Sequence, residues 1–104
     1  MDESSFERVA EATLRDLMSR IEEARDDADV DLVGGILTVD LEDEGTYVVN
    51  LHRPNRQIWL SSPMSGAWHF ARDAAGHWVS TRGTERLEQL LQTELGIPAA
   101  AERP

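Results

Sequence analysis

A chain of 104 residues has room for one hydrophobic core, with little left over for a second lobe or a deep substrate cleft. An apolar share of 40% with three Trp is that of a globular protein, and no apolar run approaches the roughly 20 residues needed to span a bilayer. The absence of Cys excludes disulfides, thiolate metal sites and cysteine nucleophiles, and a net charge of −10 disfavours nucleic-acid binding.

The charge is unevenly spread. Residues 1–50 carry 15 acids against 4 Arg and residues 51–104 carry 5 acids against 6 Arg, making the halves −11 and +1. The first half should attract cations or basic protein surfaces. Met1-Asp2-Glu3-Ser4 has neither a secretory nor a transit-peptide pattern. The expectation is a chain that works where it is made, unless a presequence has been trimmed.

In chain order, Ser4 and Glu7 fit a capping box. Phe6, Val9, Ala10, Leu14, Leu17, Met18, Ile21 and Ala24 then recur at helical spacing, predicting an amphipathic helix with Glu11, Asp16, Glu22, Glu23 and Asp26 on its other half. After Gly34-Gly35 the period changes to two, with Leu37, Val39 and Leu41 alternating against Thr38, Asp40 and Glu42. Asp43-Glu44-Gly45 supplies a turn, Tyr47, Val49 and Leu51 continue the pattern, and Pro54-Asn55 punctuates before a strand over 56–61. Two more strands are expected over 68–71 and 77–81. Thr84 is positioned to cap a second helix with Leu87, Leu90, Leu91 and Leu95 as its stripe, ended by Gly96 and Pro98. The fold class is therefore α+β: a two-layer sandwich, both helices on one face of an antiparallel sheet of about five to six strands. Residues 1–98 form the single domain and 99–104 a short frayed tail.

Two features point to function. From Glu22 to Asp31 six acids (Glu22, Glu23, Asp26, Asp27, Asp29 and Asp31) face the single cation Arg25, and Asp40 extends the surface. Read as helix, Glu22 with Asp26 and Glu23 with Asp27 are like-charge i,i+4 pairs at the negative end of the macrodipole. Hard cations would relieve that repulsion, although a solvated face kept for solubility has the same composition. No EF-hand spacing occurs, so the expectation is several weak open sites suited equally to Fe, Mg, Ca or Mn. The second feature is parity: if Ile58 and Leu60 face the helices, Gln57, Trp59 and Ser61 face the other way, and Asn50 and His69 share that open face. Trp with a polar rim is the usual setting of a binding hot spot. Trp68, Phe70 and Trp78 are assigned to the core or its edge.

The run Pro54-Asn55-Arg56-Gln57-Ile58-Trp59-Leu60-Ser61-Ser62-Pro63 with Ser65-Gly66 resembles frataxin, as do Asp2 to Arg8 with Ala10-Glu11, Gly35 to Val39, and Gly45 to Asn50. The resemblance covers about residues 2–95. It implies an acidic ridge that binds iron, Fe(II) or Fe(III), at Glu22, Glu23, Asp26, Asp27, Asp29, Asp31 and Asp40. It also implies that Asn50, Asn55, Gln57, Trp59 and His69 contact the cysteine desulfurase and scaffold protein of iron-sulfur cluster assembly. Mitochondrial frataxins commonly have Arg at the position of His69, and the loop 72–76 is a residue longer than their pattern. The function implied is an iron-binding accessory protein, monomeric with metal-dependent oligomers, with no nucleic-acid or membrane partner. The alternative is a ferroxidase acting at the ridge, against which Glu-x-x-His is absent.

Overall fold

In a computed structural model, which describes residues 1–98, the chain folds as α1 (Glu3–Ala24), β1 (Ala28–Val33), β2 (Ile36–Leu41), β3 (Gly45–His52), β4 (Gln57–Ser62), β5 (Gly66–Arg72), β6 (Trp78–Ser80) and α2 (Leu87–Leu95). The expected frayed tail lies outside the described residues. Helix α1 starts two residues before the expected capping box. Asp2 is the cap, its carboxylate accepting the Ser5 amide at 2.7 Å, and that bond holds the Asp2 carboxyl below its ordinary pKa. Glu7 does not return to the cap; it accepts from Arg53 Nε at 2.5 Å and ties α1 to the β3–β4 turn.

The strands form one antiparallel sheet in the order β1-β2-β3-β4-β5-β6, a meander whose every connection is short. Sequence periodicity missed β1. Its alternation is legible in Ala28, Val30 and Leu32 against Asp29, Asp31 and Val33, but the acids made it read as a continuation of the helix end. Gly34 and Gly35, at φ 60° and 78°, make the two-residue turn into β2, a conformation in which Gly carries no Cβ penalty. Strand β4 begins one residue late because Arg56 takes φ 53° to close the turn, its amide bonded to the Arg53 carbonyl at 3.2 Å.

One sheet face and both helices enclose the core. Phe6, Ala10, Leu14, Leu17 and Ile21 of α1 and Leu87, Leu91 and Leu95 of α2 are buried with Leu37, Val39, Tyr47, Val49, Ile58, Leu60 and Phe70. Trp78 is buried and Trp68 packs against the cluster, as periodicity expects. Thr84 does not cap α2. The Ser80 amide bonds Glu85 O at 2.7 Å and Val79 bridges Arg86, so 85–86 are extended against β6, and the helix starts after Arg86 without a side-chain cap bond.

Two polar networks penetrate this core. Arg20, 1% exposed, donates to the Pro98 carbonyl through Nε (3.2 Å) and Nη2 (2.5 Å) and to Asp16 at 3.2 Å, with Glu88 at 3.4 Å. It clamps α1 to α2 and to the chain beyond. Glu94 accepts from Tyr47 Oη (2.9 Å), Ser62 Oγ (2.6 Å) and Ser65 Oγ (2.6 Å), and Ser65 Oγ accepts from Trp68 Nε1. Burial, then the Glu94 carboxylate, pushes the Tyr47 hydroxyl up to about 12.

Arg20→Ala is expected to lower unfolding free energy by about 2–3 kcal/mol, through lost charge-assisted bonds and lost packing of the aliphatic stem. Arg20→Met, which keeps the stem, should lose less. Urea denaturation at neutral pH checks both, and a loss in Arg20→Ala no larger than the ~1 kcal/mol of an exposed ion pair would contradict the clamp.

Candidate functional site

The pleat sorts the polar side chains. With residues of β1 through β6 in unbroken register, the open face carries parallel rows running across the strands. Asp29, Asp40 and Thr46 form one row, and Asp31, Thr38, Val48, Ser61 and Ala67 the next. A third row holds Val33, Ile36, Asn50, Trp59 and His69. The face is therefore acidic at one corner and aromatic towards the other.

The seven acids singled out by sequence fall on two sides of the edge strand. Glu22 and Glu23 sit exposed on the last turn of α1, whereas Asp29 and Asp31 on β1 and Asp40 on β2 point out from the open face. Asp26 and Asp27 are not helical, because α1 ends at Ala24 and Arg25 is an extended C-cap. The expected like-charge pairs of Glu22 with Asp26 and of Glu23 with Asp27 along the helix are thus corrected. Arg25 chelates Asp27 through Nε (2.9 Å) and Nη2 (2.7 Å), pairs with Glu44, and reaches the Leu95 carbonyl at 3.4 Å. The guanidinium holds the Asp27 carboxyl below the usual carboxylate range. Asp27 is a partner of Arg25 and so contributes little to any surplus of anions. Repulsion moves instead to the cross-strand pair Asp29 and Asp40, with Thr46 Oγ1 donating to Asp40 at 3.3 Å. Among the described residues no three carboxylate or imidazole groups converge as a metal cage.

The second surface centres on Trp59. Ile58 and Leu60 are buried, and Trp59 lies on the open face with Asn50 on one side and His69 on the other. Its indole stacks between two imidazoles, His52 at 3.6 Å and His69 at 4.1 Å, each within 8° of parallel. Trp59 Nε1 donates to Gln57 Oε1 at 2.8 Å, so the ring is held on both faces and at its edge. Asn55 is exposed in the β3–β4 turn beside this patch. Sequence reasoning missed His52; parity with Asn50 two residues earlier on β3 was the available signal. Its Nδ1 is buried without a hydrogen-bond partner. Val33 and Ile36 at the far end of the row are 65% and 46% exposed, giving the patch an apolar extension.

Two helices on one face of a six-stranded antiparallel meander, with an acidic edge and a stacked aromatic patch on the other, define a small acidic α+β sandwich protein. Comparison identifies the family. The frataxin-like domain model matches residues 1–100, and the chain belongs to that family. It is 39% identical to the mitochondrial frataxin of Arabidopsis thaliana and 40% identical to the mitochondrial frataxin homolog of Drosophila melanogaster. Each match covers 91% of this chain but only 54% and 55% of those relatives, so the chain spans about half their length. Among solved structures, a frataxin from Psychromonas ingrahamii superposes with TM-score 0.80 at 26% identity, over 89% of this chain and 87% of the other. The trimeric frataxin of Saccharomyces cerevisiae complexed with ferrous iron superposes with TM-score 0.76 at 39% identity, over 85% and 82%.

The Arg25 pair gives a signed expectation. A depressed Asp27 pKa stabilises the fold above the unfolded value of 3.8, and that contribution is lost as pH falls through the lower folded value. Asp27→Asn should therefore lower the thermal midpoint at neutral pH, with the difference from the parent vanishing in acid. Asp29→Asn should raise it, by relieving Asp40. Thermal melts across the acid range check both signs.

Proposed function

We propose that the protein is an iron-binding accessory protein of iron-sulfur cluster assembly, acting on the cysteine desulfurase and scaffold complex. The observation that carries the reading is the surplus of carboxylates at the β1–β2 edge. Arg25 is committed to Asp27, Glu44 and the end of α2, and Glu22, Asp26, Asp29, Asp31 and Asp40 form no ion pair with any Arg among the described residues. Carboxylate oxygens spread over an open edge suit hard cations at several weak sites, with iron as the cargo. The ferrous complex of the yeast relative supports iron as the ion. Metal bridging of such edges would also give metal-dependent oligomers of a monomeric protein.

The partner reading rests on the other end of the open face. Asn50, Asn55, Gln57, Trp59 and His69, with His52 added, make an aromatic centre with a polar rim, the composition of a hot spot. A protein of net charge −10 is steered towards basic partner surfaces. The site of action follows the source, the bacterial cytoplasm or the mitochondrial matrix. No described helix is long and apolar enough to cross a membrane.

The deciding experiment is a desulfurase assay with scaffold, with and without this protein and iron: the protein should change the rate and iron should alter that change. No effect under either condition would overturn the reading. For the ridge, Fe(II) is expected to broaden amide NMR signals first at Asp29, Asp31, Asp40, Glu22 and Asp26, and broadening centred on His52, His69 and His77 would refute it. For the sheet face, Trp59→Ala should weaken binding to the complex by more than about 1 kcal/mol. Its stability should fall by less than the roughly 3–5 kcal/mol of a buried Trp truncation. Unchanged affinity by calorimetry would remove Trp59 from the interface.

A further inference from the structure

On the helical side of the molecule, away from both surfaces, a cavity of about 660 Å³ opens between α1, α2 and the β5–β6 turn. That is within the range of small-molecule sites, about 300–1,000 Å³. Val9 and Ala12 are its open apolar wall, over a floor of buried Leu17, Trp78 and Leu87. Its charged groups are unlike the rest of the chain. Arg8, Arg72 and Arg86 line it, and none of the three lies within ion-pair distance of a carboxylate among the described residues, in a protein where acids outnumber Arg two to one.

The nearby acids are already engaged. Two of them, Asp16 and Glu88, line the cavity themselves, but both are held by Arg20, a fourth lining Arg. Asp73, in the β5–β6 turn, accepts the backbone amides of Ala75 and His77, which keep its carboxyl below the usual range, with Arg86 a smaller influence. Arg72 is kept at the cavity by its guanidinium lying 5.6 Å from the Trp78 ring centroid, and Trp78 is itself fixed by Nε1 donation to Thr13 at 3.0 Å. A planar fork held by an aromatic ring, with two further guanidiniums lining the same space, matches carboxylate or phosphate oxygens in bidentate geometry.

We propose that this cavity binds a small organic polyanion, a molecule with two or more carboxylate or phosphate groups on a carbon body. The anionic groups engage Arg8, Arg72 and Arg86, and the body covers Val9, Ala12 and the remaining exposed edge of Trp78. The apolar wall distinguishes this from a simple ion site, since an inorganic anion leaves that surface wet.

The test is an NMR titration of the full chain in metal-free buffer at constant ionic strength, with citrate and inorganic phosphate as probes. Citrate is expected to shift the Trp78 indole N–H and the amides of residues 72–78 and 86–92 saturably, and phosphate to bind more weakly. Arg8→Gln with Arg86→Gln, neither of which breaks an ion pair, should weaken citrate binding by about tenfold or more, the scale of a charge-assisted hydrogen bond. Arg15→Gln, an exposed Arg outside the cavity, should leave it unchanged. Shifts that do not saturate, that appear equally on the open sheet face, or that survive the double substitution would overturn the proposal. So would phosphate binding as tightly as citrate.

Discussion

The pleat of six antiparallel strands held in unbroken register is the constraint on which both surfaces depend. Because successive side chains alternate in direction, each residue that faces the helices obliges its neighbours to face outwards. Burial of Ile58 and Leu60 fixes Trp59, and register then brings Asn50 and His69 beside it, where the His69 ring stacks on the indole. A one-residue slip would put Trp59 in the core and Ile58 in water. The core on one face and the aromatic patch on the other are thus two consequences of the same pairing.

Charge is organised by two arginines with opposite settings. Arg20 is buried and joins the two helices, so its carboxylate partners are consumed by the fold. Arg25 gathers the end of α1, the start of β1, the β2–β3 turn and the end of α2 around one half-buried guanidinium. What remains at the edge is anionic because these two cations have been used elsewhere. The surplus therefore owes as much to how the fold deploys its few Arg as to the number of acids.

Most of this was legible in the sequence where a period could be read. The core stripes of both helices, the alternation of β2 to β4 and the outward face of Trp59 followed from spacing alone. Strand β1 did not, since Asp26, Asp27, Asp29 and Asp31 masked a six-residue alternation whose apolar members are small or only partly buried. The helix N-termini were misplaced because several residues near each could cap, and only tertiary pairing selects among them: Val79 with Arg86 at α2, Arg53 with Glu7 at α1. Arg20 stands four residues after Asp16, the spacing of an ordinary surface ion pair, and nothing local marks it as buried; its burial depends on the Pro98 carbonyl, 78 residues away in sequence. His52 was recoverable, by carrying the parity of Asn50 one step further.

Strand β1 is also an edge, with one row of backbone donors and acceptors left outside the sheet. Such edges recruit other strands, and six extended residues are long enough to template one. The outward aspartates answer this. If two copies paired along β1, Asp29 and Asp31 of one would be drawn against those of the other, and desolvation would sharpen the repulsion. The opposite edge, β6, is only three residues long and is occupied by the bridge to Arg86. The carboxylates that make one margin attractive to cations thus also guard it against amyloid-like strand addition, keeping the sheet finite.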